Sequence, residues 1–144
     1  MPDVTAVRLL LFRVAGIVCA AGMDTVREIV PATPAARIPG APPAVQGLVN
    51  VRGMLLPVVD GGLLLTGNIP SRAGGIVLLD VGETVVGLAV DAVEDLVTVD
   101  PNALTEREAL VGVDPSVVRA VGRHGDEPFV LLDVDALVGP LLPA

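Results

Sequence analysis

One arginine is placed to do chemistry. Arg52 lies in Gly47-Leu48-Val49-Asn50-Val51-Arg52-Gly53-Met54-Leu55-Leu56-Pro57-Val58-Val59-Asp60, where two aliphatic runs flank a polar break from Asn50 to Gly53. Aliphatic and β-branched runs of this length, bounded by turn signals, predict two buried strands. A guanidinium at the turn between them cannot sink into the core, so it stays in water or takes a fixed partner. The segment therefore builds core and presents one pre-aimed cation. Glu28 is the second candidate. In Val26-Arg27-Glu28-Ile29-Val30 it alternates with apolar residues, which predicts an outward strand position.

The other reactive side chains offer less. The single histidine, His124, sits in Arg123-His124-Gly125-Asp126, a predicted hairpin turn where Asp126 could orient it as in a dyad. The chain has only two serines, Ser71 and Ser116, and neither lies in a nucleophile motif, so His124 reads as a surface-turn residue. Cys19, within the apolar stretch Ile17 to Ala21, has no neighbouring cation and reads as a buried core thiol. As the sole cysteine it forms no internal disulfide, which suits a reducing compartment. Asp91, Glu94, Asp95 and Asp100 form the densest acidic group, but their spacing fits no Ca²⁺ loop and no His or Cys joins them. Gly61-Gly62 lacks dinucleotide-loop spacing, and a phosphate-binding P-loop needs a lysine that this chain does not have. The expectation is no enzyme, no cofactor and no metal.

These residues must be positioned by a β scaffold. Of 144 residues, 52% are hydrophobic but only 1% aromatic, so the core is packed with Val, Leu, Ile and Ala. Ten segments read as strands: Val7–Val14, Ile17–Gly22, Val26–Val30, Gly47–Val51, Met54–Val59, Gly75–Val81, Thr84–Val90, Val93–Val99, Val117–Arg123 and Pro128–Val134. Short turns with Gly or Asp join several of them, as hairpins require. Five prolines between Pro31 and Pro43 predict an ordered crossover that joins no central ladder. Thr105-Glu106-Arg107-Glu108 fits a capping box and predicts one or two helical turns, and a turn of helix is expected near Leu63–Leu65. The tail from Asp135 to Leu142 predicts a short helix that Gly139-Pro140 disrupts. Five strands before Gly61 and five after Ser71 suggest two similar halves, sub-barrels 1–60 and 71–144 joined by a linker at 61–70, with the C-terminal segment able to pack back on the first.

Charge narrows the partners. The net charge is −8 and all nine basic residues are arginine, which argues against nucleic acid and anionic membranes. Arg8 and Arg13 before the apolar stretch Val14 to Met23 give a faint signal-peptide pattern that Asp3 and the interrupting Arg13 argue against. No apolar run approaches the length of a membrane-spanning helix.

Gly47, Asn50, Arg52, Gly53, Pro57 and Asp60 resemble the signature of CheW-type chemotaxis coupling domains, with Val51 where that family more often has Leu. Val26-Arg27-Glu28-Ile29 with Arg37-Ile38-Pro39, Val86-Gly87-Leu88-Ala89-Val90-Asp91-Ala92-Val93 and Phe129 to Leu137 are similar to three further family segments, in the same order. The resemblance implies a single domain over 1–144, mainly β, of two small five-stranded Src-homology-3-like barrels side by side. It also implies a non-catalytic adaptor in the cytoplasm, at receptor arrays on the inner face of the membrane. That adaptor would couple the cytoplasmic tip of a methyl-accepting chemoreceptor to the regulatory domain of a CheA-type histidine kinase. Receptor-facing positions would be Val26, Glu28, Gly47 and Arg52, with Asn50 and Gly53 shaping the turn. Departures from the family pattern are the missing aromatics near Val18-Cys19 and Gly61-Gly62 after Asp60. The alternatives are a small β-barrel enzyme or ligand carrier built on His124 and Asp126, and a kinase regulatory-domain fragment of the same fold.

Overall fold

The computed structural model describes residues 6–106 and 113–141. Its strands are β1 (Val7–Val14), β2 (Ile17–Gly22), β3 (Val26–Val30), β4 (Val45–Val51), β5 (Met54–Asp60), β6 (Gly75–Val81), β7 (Thr84–Val90), β8 (Ala92–Val99), β9 (Thr105–Glu106), β10 (Val118–His124) and β11 (Glu127–Leu132). Two short helices follow aspartate caps: α1 (Gly61–Thr66) after Asp60 and α2 (Val134–Val138) after Asp133. The strands form two sheets, ordered β8-β1-β2-β11-β10-β9 and β3-β6-β7-β5-β4. The chain is mainly β, as its composition predicts.

The sheets divide the chain differently from the division at 61–70. One sheet is contiguous, from β3 to β7. The other is composite: the N-terminal hairpin β1–β2 pairs with β8 and, in parallel, with β11. The strand count alone suggested halves because it could not show that β2 and β11, more than a hundred residues apart, share hydrogen bonds.

The two sheets repeat one another residue by residue. In each, a hairpin (β6–β7 or β1–β2) lies at the centre, flanked by an antiparallel first strand (β3 or β8) and a parallel last strand (β5 or β11). Both first strands bulge at the equivalent place. Val26 and Glu28 oppose the successive residues Leu79 and Leu78, as Val93 and Asp95 oppose Phe12 and Leu11. Even the isolated bridge Ala36–Leu48 in the proline-rich crossover matches Thr105–Val121 of β9. Thr105 and Glu106 are therefore strand, and the helical turns expected there are absent from them. Their backbone is taken by the edge of β10, and Arg107 and Glu108 lie outside the described residues.

Three apolar clusters fill this arrangement. Leu9, Leu11, Val18, Ala20, Phe129 and Leu131 pack inside the composite sheet. Val49, Leu56, Val58, Ile76 and Leu78 pack inside the contiguous one. The largest cluster, with Leu10, Phe12, Val14, Val77, Leu79 and Leu88, lies between the two. Strands β1, β6 and β7 thus bury both faces, alternate residues going to different cores, which is why they read as unbroken apolar runs.

Helix α1 lies where a helical turn was expected. Helix α2 starts one residue earlier than the tail predicted, because Asp133 accepts the Ala136 N–H at 3.0 Å, and it runs on as a 3₁₀ turn over Gly139–Leu141.

Candidate functional site

Arg52 occupies the tip of the β4–β5 hairpin. Val51 and Met54 are the last paired residues, leaving Arg52 and Gly53 as a two-residue loop with φ +48° and +85°. Positive φ at both positions marks the turn whose twist matches the strands, and its second position suits glycine. The carboxamide oxygen of Asn50 accepts the Gly53 N–H at 2.9 Å and pins the turn. A side chain at the first position must accept the left-handed conformation, so Arg52 is held there against its backbone preference.

The guanidinium reaches across to Glu28 on β3, forming a salt bridge with its carboxylate. Strands β3 and β4 are the opposite edges of their sheet. A contact from the β4–β5 turn to β3 therefore means that the sheet rolls until its edges meet, a small partly open barrel. The Glu28 hydrogen bond holds the Arg52 guanidinium pKa above its ordinary value. The arginine side chain remains 70% exposed, whereas that of Glu28 is 29% exposed. The outward Glu28 expected from the sequence is thus corrected. Residues two apart on a strand share a face, so Glu28 lies with Val26 and Val30 on the half-buried side, and Arg27 and Ile29 take the exposed one.

Exposed apolar side chains flank this pair. Ile29 is 46% exposed, Met54 56% and Leu55 64%. The surface thus sets an exposed cation with a fixed partner beside exposed aliphatic side chains.

Gly47 has a different reason to be glycine. Its φ is +141°, and a Cβ there would lie 2.1 Å from the Ala36 carbonyl oxygen. Ala36 and Leu48 exchange two backbone hydrogen bonds at 2.8 Å, so the proline-rich crossover lies directly against β4. The structure brings together Glu28, Asn50, Arg52 and Gly53. Val26 lies two residues from Glu28 on the same face, and Gly47 holds the crossover farther along β4.

Sequence reasoning gave Asp60 no role beyond the motif, yet it is the buried polar residue of the described core. One carboxylate oxygen accepts the N–H groups of Leu63 at 3.0 Å and Ser71 at 2.9 Å; the other accepts Gln46 Nε2 at 3.3 Å. It caps α1 and ties together the end of β5, the start of β4 and the chain after α1. The signal was Asp directly before two glycines at a strand end, a helix N-cap.

The rival site does not assemble. His124 pairs through Nε2 with Asp95, not Asp126, at 3.3 Å, and its side chain is 49% exposed. Cys19 is buried, and desolvation, helped by the nearby charge of Asp91, pushes its pKa up to about 12. Among the described residues no helix is long and apolar enough to cross a membrane.

The family model for the CheW-like domain matches residues 8–140. The chain belongs to the CheW-like domain family. The chemotaxis protein CheW of Rhizobium meliloti (strain 1021) is 41% identical over 93 residues, 63% of this chain and 60% of that protein. The probable chemotaxis protein CheW of Rhizobium etli is 37% identical over 93 residues, again 63% of this chain and 60% of the relative. The match therefore spans well under two thirds of these relatives' length. The crystal structure of scaffolding protein TtCheW from Thermoanaerobacter tengcongensis superposes with a TM-score of 0.82 at 21% identity, over 93% of this chain and 87% of that one. At that identity the likeness speaks for the fold: a CheW-like pair of packed five-stranded sheets, to which the two-residue β9 adds an edge here.

Proposed function

We propose that this CheW-like chain is a non-catalytic adaptor that couples a chemoreceptor to a CheA-type histidine kinase in the cytoplasm. The observation that carries the reading is the Arg52–Glu28 pair, exposed at a hairpin tip and flanked by Ile29, Met54 and Leu55. A rigid β scaffold offering a charged centre among aliphatic side chains suits the apolar face of a helical receptor tip. The names of the relatives, chemotaxis proteins and a scaffolding protein, support the same reading. The work done is a coupling free energy between receptor and kinase states, with no bond made or broken.

In this reading Glu28, Arg52 and Val26 face the receptor, while Asn50 and Gly53 hold the turn. Gly47 acts by letting the crossover pack. Barrel-end residues Val51 and Leu56 are candidates for the kinase side. The enzyme alternative loses its only convergent polar pair, because His124 turns to Asp95 on an exposed edge.

A pull-down tests this. The purified chain should retain a receptor-tip helical hairpin and a CheA-type regulatory domain together. Retention of neither, by a folded sample, contradicts the proposal.

A further inference from the structure

Four of the described arginines have neither a carboxylate nor a carbonyl partner among the described residues. Arg13, Arg27 and Arg52 hold carboxylates, and Arg123 holds the Asp126 carbonyl at 3.1 Å. The other four fall two and two. Arg37 and Arg72 line an open cleft of about 670 Å³ at one mouth of the contiguous barrel. Arg8 and Arg119 line the equivalent mouth of the composite barrel, about 820 Å³. The register equates these mouths, since Ile76 matches Leu9 and Ala89 matches Gly22 in the two central hairpins.

The two differ in charge. Asp24 lines the composite mouth beside its arginines. No carboxylate lines the contiguous one. Asp91, the nearby acid, is engaged with the Arg72 backbone N–H at 2.6 Å rather than its guanidinium. Hydroxyl donors in the cleft are already committed, Ser71 to the Ala89 carbonyl and Thr33 to that of Pro31. The Gln46 amide nitrogen is likewise committed, to Asp60 at 3.3 Å, which leaves the two arginines as the charged groups of the cleft, with an apolar floor that includes Pro34, Pro43, Val45 and Ile76.

We infer that this cleft binds carboxylates carried on methylene stems, such as the glutamate side chains of an acidic segment. The floor takes the stem, and the arginines take the charge in forked hydrogen bonds. In a chain of net charge −8, a cleft of unneutralised arginines is a local reversal of sign that attracts an anionic group. The site is distinct from the Arg52 surface, because Arg37 lies beside Gly47 and β4 runs on from there to Val51 before the turn, roughly 15 Å. It does not depend on the adaptor reading.

Isothermal titration with a capped hexaglutamate peptide and, separately, with free glutarate tests the inference at low and moderate salt. Saturable binding is expected, weakening as salt rises. The exposed-residue variant Arg37→Gln/Arg72→Gln should lose at least about tenfold in affinity. Arg8→Gln/Arg119→Gln should stay within about twofold of the parent. Tighter binding of the peptide assigns the cleft to a partner's acidic segment, and equal or tighter binding of glutarate assigns it to a small free acid. Absence of saturation by both probes, or equal loss in the two variants, overturns the inference.

Discussion

Arg52 is held in place by its turn and by Glu28, yet it leaves most of its surface to water. Reversing its charge should therefore spare the core while placing two carboxylates side by side. Arg52→Glu is expected to keep a melting temperature within about 2 °C of the parent, as surface changes usually do. Arg52→Gly relieves the left-handed position and should melt no lower, while losing the cation. Calorimetry on both variants checks this. Cys19 behaves oppositely. Its folded pKa is raised from 9.0 to about 12, so the folded thiol keeps its proton where the unfolded one loses it. The stabilisation is complete below pH 9 and is lost as pH rises from there towards 12. Denaturant midpoints should fall across that window, and a Cys19→Ser variant should show a shallower fall. A midpoint that rises above pH 9 contradicts the assignment.

Elements show why the fold was legible and where it was not. Hairpins declared themselves through local signals. Ala15-Gly16 and Arg52-Gly53 both sit as two-residue loops with positive φ, and the flanking runs gave the strand bounds almost unchanged. The crossover was read correctly as outside the ladder, but its single bridge to Leu48 depends on Gly47, whose missing Cβ only coordinates reveal. Gly47→Ala should cost about 2 kcal/mol or more, because Ala36 must move and φ is positive. The two capping aspartates offer a controlled comparison. Asp60 is buried with three donors and Asp133 is half-buried, capping the Ala136 N–H. Asp60→Ala is expected to destabilise by about 2–4 kcal/mol, since it orphans buried donors, and Asp133→Ala by about 1 kcal/mol. Urea unfolding of both decides it; equal losses contradict the account of Asp60 as a tie between elements.

At the scale of the molecule, the chain carries an internal duplication that its sequence conceals. Arg27 pairs with Asp80 in one barrel, and at the matching positions Glu94 pairs with Arg13 in the other, with the signs exchanged. Exposed Ile29 likewise matches exposed Leu96. No reading of local pattern finds this, because the equivalence follows from register and from a composite sheet closed by the two ends of the chain. The duplication isolates what is particular to the proposed docking surface. Glu28 matches Asp95, but the composite barrel has Gly125 where the other has Arg52, and its neighbour His124 makes the contact instead. At this hairpin tip the arginine belongs to one barrel alone, so the proposed docking surface has no matching cation at the equivalent position. The most direct test is the affinity of a chemoreceptor-tip helical hairpin for the parent, Arg52→Glu and the exchanged pair Glu28→Arg/Arg52→Glu. The account predicts binding by the parent, a loss of at least about thirtyfold in Arg52→Glu at unchanged melting temperature, and no recovery in the exchanged pair although its barrel closure is restored. Parent-like binding by Arg52→Glu would contradict it.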